Sequence, residues 1–276
     1  MLLAAALLRV PGRRLRALAL GDAAALQDWV ANESATRLAE ARRDARLALA
    51  RLDSLGARLV SLRDAEYPAG LRDLRDPPPF LTVRGRLPAK ARWREGTAIV
   101  GTRTPDAAAR EFARSLAATA PAPIVSGLAL GIDAAVHAGA LAVGAPTYAY
   151  VATGPGVTYP PEHAALEERI IAGEGAILSE LLPGETVTRW SLVRRDRLQA
   201  AHAAAIVLVA SEPGGGAMHA LRAAELLGRP RFALEPRGAG YDGNVLALHG
   251  GAATLPWDAA AAREALVTLP RTSPVT

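Results

Sequence analysis

Residues 124–137 read Ile-Val-Ser-Gly-Leu-Ala-Leu-Gly-Ile-Asp-Ala-Ala-Val-His, and this stretch is the clearest indication of the fold. Its apolar beginning predicts a buried strand, which breaks at Ser126-Gly127 and gives way to a helical pattern. Glycine turns between a strand and a helix leave bare backbone N–H groups at the positive end of the helix dipole. The stretch therefore predicts a binding site for a phosphate-bearing molecule.

Asp133 and His137 lie four residues apart in this stretch and so share one face of the predicted helix. One interpretation is a catalytic acid–base pair. The other is that Asp133 accepts hydrogen bonds from nearby backbone amides and that His137 is a hydrogen-bonded support of the loop. The sequence favours the second interpretation and leaves the first open.

The rest of the chain repeats the same order of strand, loop and helix. Further apolar runs occupy residues 98–100, 147–151, 176–178, 205–209 and 231–234, with helical patterns between most of them. This alternation predicts an α/β fold, a Rossmann-like and mostly parallel sheet with helices on both faces. Such sheets bind ligands beyond the carboxyl ends of their strands, which is where the glycine-rich loops lie.

Three regions are predicted along the chain. Residues 1–55 combine Ala, Leu and Arg at helical spacing, broken at Pro11-Gly12, and are expected to form a small helical domain. Residues 56–256 form the Rossmann-like domain, and residues 257–276 form a short helix and a tail that we expect to fray. Arginines follow the apolar start at once, so we expect an amphipathic helix there rather than a signal sequence. The core expected for the helical domain is Leu15–Leu20 with Leu26, Trp29 and Val30.

Two glycine loops carry the predicted ligand contacts. The first, Gly101-Thr102-Arg103, follows an apolar run and offers a tight turn, a hydroxyl and a guanidinium fork. The second contributes Ser126, Gly127 and Gly131. A third loop has glycines only at 154 and 156, so the dinucleotide-binding fingerprint fails. Each loop, taken alone, is also explained as an ordinary connection from strand to helix.

The densest basic run is Arg189-Trp190-Ser191-Leu192-Val193-Arg194-Arg195-Asp196-Arg197. Its arginines suit a track of phosphates, and Trp190 offers a face on which a base can stack. A solvated helix start explains the same residues equally well.

The composition bounds the function without selecting it. The chain has 276 residues and a net charge of +5, carried almost entirely by arginine, since Lys90 is the only lysine. This charge permits nucleic-acid binding, but an arginine- and alanine-rich composition is also typical of a GC-rich genome. Cysteine is absent, which excludes disulfides and cysteine catalysis and fits a reducing compartment. We expect a cytoplasmic protein with no membrane span, no metal and no cofactor.

Taken in order, the loops resemble those of the DNA-processing protein A (DprA, also called Smf) family over about residues 5–255. Each motif is weak alone, and their order and spacing carry the resemblance. The motifs are Tyr67-Pro68-Ala69-Gly70-Leu71, Ile99-Val100-Gly101-Thr102-Arg103, Ser126–Asp133 with His137, Thr153-Gly154, Tyr159-Pro160, Ser179-Glu180, Phe232-Ala233 and Gly243-Asn244.

The resemblance implies a DNA-binding domain that takes single-stranded DNA, forms a homodimer and helps to load RecA recombinase during natural transformation, without catalysis. It assigns DNA contacts to Arg103 in the glycine loop, to Arg195 and Arg197 of an Arg-Asn-Arg motif, and to Arg189 upstream. This chain departs from the family at the centre of that motif, where Asp196 replaces Asn, and we expect no winged helix after the core. The predicted DNA-binding residues are Gly101, Thr102, Arg103, Ser126, Gly127, Gly131, Arg189, Arg195 and Arg197.

Two other functions stay open at this point. Pro213-Gly214-Gly215 resembles the start of a motif in phosphoribohydrolases of a related fold, which act on nucleotides or nucleoside monophosphates. However, Ala217, Met218 and Leu221 stand where those enzymes carry Gly, Thr and Glu, so the carboxylate for glycosidic chemistry is missing there. The third candidate is a degenerate paralogue with a structural or partner-binding role, because Asp196 adds a negative charge beside the phosphate track.

Overall fold

The structure is a computed structural model that describes residues 2–7, 12–87 and 96–268. Its helices are α1 (Leu2–Leu7), α2 (Gly12–Ala19), α3 (Ala23–Ala31), α4 (Ala35–Ser54), α5 (Ala107–Thr119), α6 (Ile132–Ala142), α7 (Ala164–Ala172), α8 (Arg189–His202), α9 (Ala217–Leu226), α10 (Asp242–His249) and α11 (Ala259–Val267). Its strands are β1 (Ala57–Ser61), β2 (Phe80–Gly85), β3 (Thr97–Val100), β4 (Ile124–Ser126), β5 (Thr147–Tyr150), β6 (Ala176–Ser179), β7 (Ala205–Leu208), β8 (Arg231–Leu234) and β9 (Ala253–Leu255). The turn predicted at Pro11-Gly12 and the tail after residue 268 fall wholly or partly outside the described residues.

Within the described ranges, the nine strands form one sheet in the order β1-β2-β6-β5-β4-β3-β7-β8-β9. The seven strands from β6 to β9 in that order are parallel, whereas β1 and β2 add an antiparallel edge beside β6. Every predicted apolar run is a strand, which confirms the α/β fold and its mostly parallel sheet. The outermost strands, β1 and β9, were not predicted because neither forms an apolar run: only two of the five residues of β1 and one of the three residues of β9 are buried.

Alternation along the strands gives the sheet two apolar faces. On one face, Ala98 of β3 belongs to the same core as Leu198 of α8, together with residues of α9. On the other face, Ile99 shares a core with Phe112 of α5 and Leu266 of α11, together with residues of α6. Helices therefore cover both faces, as predicted. Among the described residues, no helix combines the length and the apolar composition that a bilayer span requires.

The N-terminal helices pack around the buried side chain of Trp29. Asp22 and Ser34 cap α3 and α4 by accepting backbone N–H bonds of the first turns. Of the predicted core, Leu15, Leu18, Leu26, Trp29 and Val30 lie here. Ala19 belongs instead to the core of the sheet, and Leu20, which follows the last turn of α2, is 59% exposed. Phe80 of β2 also enters this core, so the helices pack against the edge of the sheet. The domain boundaries at residues 55 and 256 stay a prediction.

Candidate functional site

The order of the sheet reverses between β3 and β7. The chain continues from β3 to β4 on one side and from β7 to β8 on the other, so the two loops that leave these strands diverge. A cleft of about 530 Å³ lies between the loops, lined by residues of 100–103 and 211–216. Side chains from the starts of α6 and α8 complete its walls. We call this space the switch-point cleft.

The loop Gly101-Thr102-Arg103 is held by backbone hydrogen bonds on two sides. The Thr102 N–H donates to the Ala210 carbonyl at 2.7 Å, and the Ile132 N–H donates to the Thr102 carbonyl at 3.1 Å. Gly131, with φ = 80°, allows this approach, because a Cβ there would lie 2.5 Å from the Thr102 oxygen. Gly131 therefore positions the loop from behind.

Two exposed guanidinium groups face the switch-point cleft, those of Arg103 and Arg189. The salt bridges among the described residues involve neither of them. Arg189 is the first residue of α8, whose start is fixed by reciprocal hydrogen bonds of 2.9 Å between Thr188 and Ser191. Helices α6 and α9 also begin at this cleft, each without a side-chain cap. Free cations and positive helix ends together attract anions.

Arg195 also lines this cleft, but its guanidinium is buried and paired with a carboxylate. The residue is 8% exposed, and its Nη1 donates to the Tyr150 carbonyl at 2.7 Å. Its Nε lies 3.0 Å from Asp196 Oδ1. Gly127 makes room for this group, because a Cβ at that position would overlap the Arg195 guanidinium and the Asp133 carboxylate. Gly127 thus belongs to the packing around a buried charge network rather than to the open surface.

Two carboxylates of this network have raised pKa values. Burial raises the pKa of Asp196 from 3.8 to about 6, although the neighbouring charge of Arg195 acts in the opposite direction. Burial likewise raises the pKa of Asp133, whose Oδ2 accepts a hydrogen bond of 3.2 Å from the Ala129 N–H. Protonation of Asp196 near pH 6 therefore makes the cleft more positive.

Ser126 and His137 lie behind the cleft and support it. Ser126 is fully buried, and its hydroxyl donates to the Ile99 carbonyl at 2.7 Å, so the structure does not bring this side chain into the ligand space. His137 bridges the Gly127 carbonyl at 2.5 Å and the Thr147 hydroxyl at 2.8 Å. Burial lowers the pKa of His137 to about 4, so its ring is neutral at pH 7. These bonds confirm the supporting role expected of His137.

The structure does not bring Arg197 to the switch-point cleft. Arg197 lies two residues beyond Arg195 on α8, and side chains at this spacing do not face the same way. Its Nη1 and Nη2 donate to the Glu180 carboxylate at 2.7 and 2.8 Å, and Nη2 also donates to the Asp76 carbonyl at 3.2 Å. The side chains of Arg197 and Glu180 are only 15% and 13% exposed. Arg197 is therefore one half of a largely buried ion pair.

The predicted site omitted the loop that follows β7. Gly214, Gly215 and Gly216 line the cleft opposite the loop of Arg103. A Cβ on Gly215 would overlap the Ser211 hydroxyl, so a larger residue there would displace this hydroxyl from its hydrogen bond to the Glu212 carbonyl. The signal was available in the sequence, as three consecutive glycines between an apolar run and a helix at the carboxyl edge of the sheet.

The sequence of this chain matches one family model and several relatives with related names. The family model for DNA recombination-mediator protein A matches residues 58–265. Protein Smf of Synechocystis is 35% identical over 176 residues, which is 62% of this chain and 44% of that protein. DNA processing protein DprA of Streptococcus pneumoniae is 31% identical over 179 residues, which is 63% of this chain and 61% of that protein. The chain thus spans between about a third and three fifths of the length of the relatives it matches.

Two solved structures share the fold. The X-ray structure of DprA from Streptococcus pneumoniae matches with a TM-score of 0.76 and 23% identity, covering 95% of this chain and 94% of that chain. DNA processing protein A from Helicobacter pylori matches with a TM-score of 0.66 and 27% identity, covering 76% of this chain and 95% of that chain. The study of the Helicobacter protein concerns its single-stranded DNA binding mode.

Proposed function

This chain belongs to the DNA recombination-mediator protein A family, and from that premise we propose that it binds the phosphate backbone of single-stranded DNA in the switch-point cleft. The observation that carries the proposal is the pair of exposed guanidinium groups, Arg103 and Arg189, facing that cleft. A guanidinium fork matches the oxygens of a phosphate and binds it with charge-assisted hydrogen bonds. The Thr102 hydroxyl, which accepts from the Thr104 N–H, keeps its own proton free to donate.

The remaining predicted residues have three roles under this proposal. Gly101, Gly127 and Gly131 shape the cleft and let its walls approach closely, and Ser126 ties the strand behind it. Arg195 supplies a positive charge beneath the bound phosphates while it holds Tyr150 and Asp196 in place. Arg197 acts through Glu180 on the structure around the cleft rather than on the DNA.

The same geometry supports binding rather than catalysis. Asp133 and His137 are buried and form hydrogen bonds within the protein, so they are poorly placed to exchange protons with a substrate. The position at which a phosphoribohydrolase carries its carboxylate is Leu221, which is buried in the core. We therefore propose a non-enzymatic function.

Titration of a labelled oligothymidine by fluorescence anisotropy, over a series of salt concentrations, tests the proposal. We expect affinity that falls steeply with salt, because each neutralised phosphate contributes about −0.7 to the slope of log affinity against log salt. Nucleoside monophosphates incubated with the protein serve as the control for the alternative function. Failure to bind the strand even at low salt would overturn the proposal, and release of free base would support the hydrolase instead.

From family membership alone, we further propose that the chain forms a cytoplasmic homodimer and assists the loading of RecA recombinase in natural transformation. Light scattering at tens of micromolar tests the dimer, and a monomer there would contradict it. Loading is tested by the lag before RecA filaments form on a single strand, with and without this protein. An unchanged lag would contradict the RecA proposal while leaving DNA binding intact.

A further inference from the structure

A second cleft, of about 440 Å³, lies on the other side of the start of α8. Its walls come from α2, from residues 75–80 and from the first two turns of α8. Consecutive residues connect it to the switch-point cleft, because Arg189 lines one space and Trp190 lines the other. Arg195 lines both. The two clefts are therefore adjacent, and we call the second one the Trp190 cleft.

Trp190 is the residue that gives this cleft its chemistry. Its indole is 64% exposed, although burial of so large an apolar group is favourable. The guanidinium carbon of Arg194 lies 4.7 Å from the ring centroid, which is cation–π geometry and restrains the ring. The capped start of α8 fixes the backbone beneath it. A large aromatic ring, restrained and open to solvent beside a phosphate site, is the arrangement that stacks unpaired bases.

The charges around the Trp190 cleft suit the same ligand. Its two carboxylates are both engaged by Arg197, with Glu180 bonded at 2.7 and 2.8 Å and Asp76 at 3.5 Å. The Arg16 Nη1 donates to the Arg75 carbonyl at 2.7 Å, so α2 is tied to the wall of the cleft. The arginines that line the space are Arg16, Arg75, Arg194 and Arg195, beside apolar surface from Pro77, Pro79, Phe80 and Val151. The cleft therefore combines apolar surface with an excess of arginines over carboxylates.

We propose that the Trp190 cleft holds one unpaired base of the bound DNA strand, stacked on the indole, while the flanking phosphates lie against Arg189 and Arg103. This inference rests on the proposed function, since it assigns the base side of a strand whose backbone occupies the switch-point cleft. The volume of about 440 Å³ lies within the range of sites that hold a single small ligand, and a nucleotide is of that size. The stacking makes affinity depend on the presence of bases without requiring a particular sequence.

Two strands of equal length and charge test the inference, an oligothymidine and a fully abasic deoxyribose-phosphate strand. The wild-type protein is expected to bind the oligothymidine about 5- to 150-fold more tightly than the abasic strand. Trp190→Ala is expected to bring the two affinities within about twofold of each other and to leave the salt dependence unchanged, because no phosphate contact is removed. Trp190→Phe keeps an aromatic face and is expected to retain most of the preference.

Tryptophan fluorescence gives an independent readout. Oligothymidine is expected to quench the wild-type emission, and Trp190→Phe is expected to lose that quenching while binding the strand. The inference is overturned if Trp190→Ala, folded by circular dichroism, keeps the wild-type preference for the strand with bases. Quenching by thymidine monophosphate at concentrations as low as those of the strand would also overturn it, because the cleft would then be a mononucleotide site. If the wild type binds both strands equally, the stacking proposal is contradicted, while the proposed binding of the DNA backbone is not. If the wild type binds neither strand at low salt, the proposed function is contradicted as well.

Discussion

Replacing Asp196 with asparagine is expected to raise the free energy of unfolding near pH 7.5 by about 3 kcal/mol. Burial moves the pKa of this carboxyl from 3.8 to about 6, which means that the folded protein holds the ionised form unfavourably. A pKa difference of this size corresponds to about 3 kcal/mol. Asparagine keeps the shape of the side chain and an oxygen for the Arg195 Nε, which lies 3.0 Å away, but brings no charge.

The difference in the free energy of unfolding between Asp196→Asn and the wild type depends on pH. Because the folded-state pKa of Asp196 is raised, the stability associated with its protonated form is complete below about pH 3.8 and is lost as the pH rises through about 6. Relative to the variant, the wild-type free energy of unfolding should fall by about 1.4 kcal/mol per pH unit across this interval. The two proteins should be about equally stable near pH 4.

Urea denaturation followed by circular dichroism, near pH 7.5 and near pH 4, measures both quantities. Asp44→Asn is the matched control, because Asp44 is a 51% exposed carboxylate of α4 and its loss removes the same charge without relieving burial. Its effect should stay within about 0.5 kcal/mol. A destabilising charge on buried Asp196 is contradicted if Asp196→Asn is no more stable than the wild type near pH 7.5, or if its added stability persists unchanged near pH 4.

Three further substitutions test the packing around the site. Arg197→Ala should lower the free energy of unfolding by about 3 kcal/mol, because Glu180 loses its main partner. The same variant should leave the salt dependence of DNA binding unchanged. An altered salt slope together with wild-type stability would instead make Arg197 a DNA contact. Gly127→Ala should lower stability in urea by about 1–3 kcal/mol, since its Cβ overlaps the Arg195 guanidinium, and wild-type stability would argue against that packing. Phe80→Ala should lower stability by about 3–5 kcal/mol in the same assay, and a smaller loss would mean that the N-terminal helices depend little on this contact.

The central strands could be predicted because they are buried on both faces. Strands of this kind are near-continuous apolar runs, as at Ala205–Leu208, and the sequence between them has helical periodicity. The edge strands β1 and β9 lack this signal because few of their residues are buried, two of five in β1 and one of three in β9. Their places were set by pairing with distant residues, such as Ala57 with Arg84, which no local pattern encodes.

The sequence predicted where the site lies better than it predicted the contacts of individual site residues. Glycines at the carboxyl edge of a parallel sheet pointed to the loops that line the switch-point cleft. The Ser126 hydroxyl donates to the backbone carbonyl of Ile99 on the neighbouring strand β3, so its direction depends on a strand pairing that no local pattern encodes. Arg195 and Arg197 differ in a way that helical spacing alone already indicated, since residues two apart on a helix do not face the same side. Arg195 lines the switch-point cleft, whereas Arg197 pairs with Glu180, and the sequence around the two arginines does not distinguish them in this way.

DNA binding in the switch-point cleft is tested most directly by the salt dependence of oligothymidine binding for Arg103→Ala, compared with Arg46→Ala. Each variant removes one exposed arginine, but Arg103 faces the switch-point cleft, whereas Arg46 lies on α4 and lines neither cleft. Arg103→Ala should bind more weakly, with a slope of log affinity against log salt that is shallower by about 0.7, and Arg46→Ala should keep the wild-type slope. Equal slopes for the wild type and both variants would contradict the claim that this cleft holds the DNA backbone.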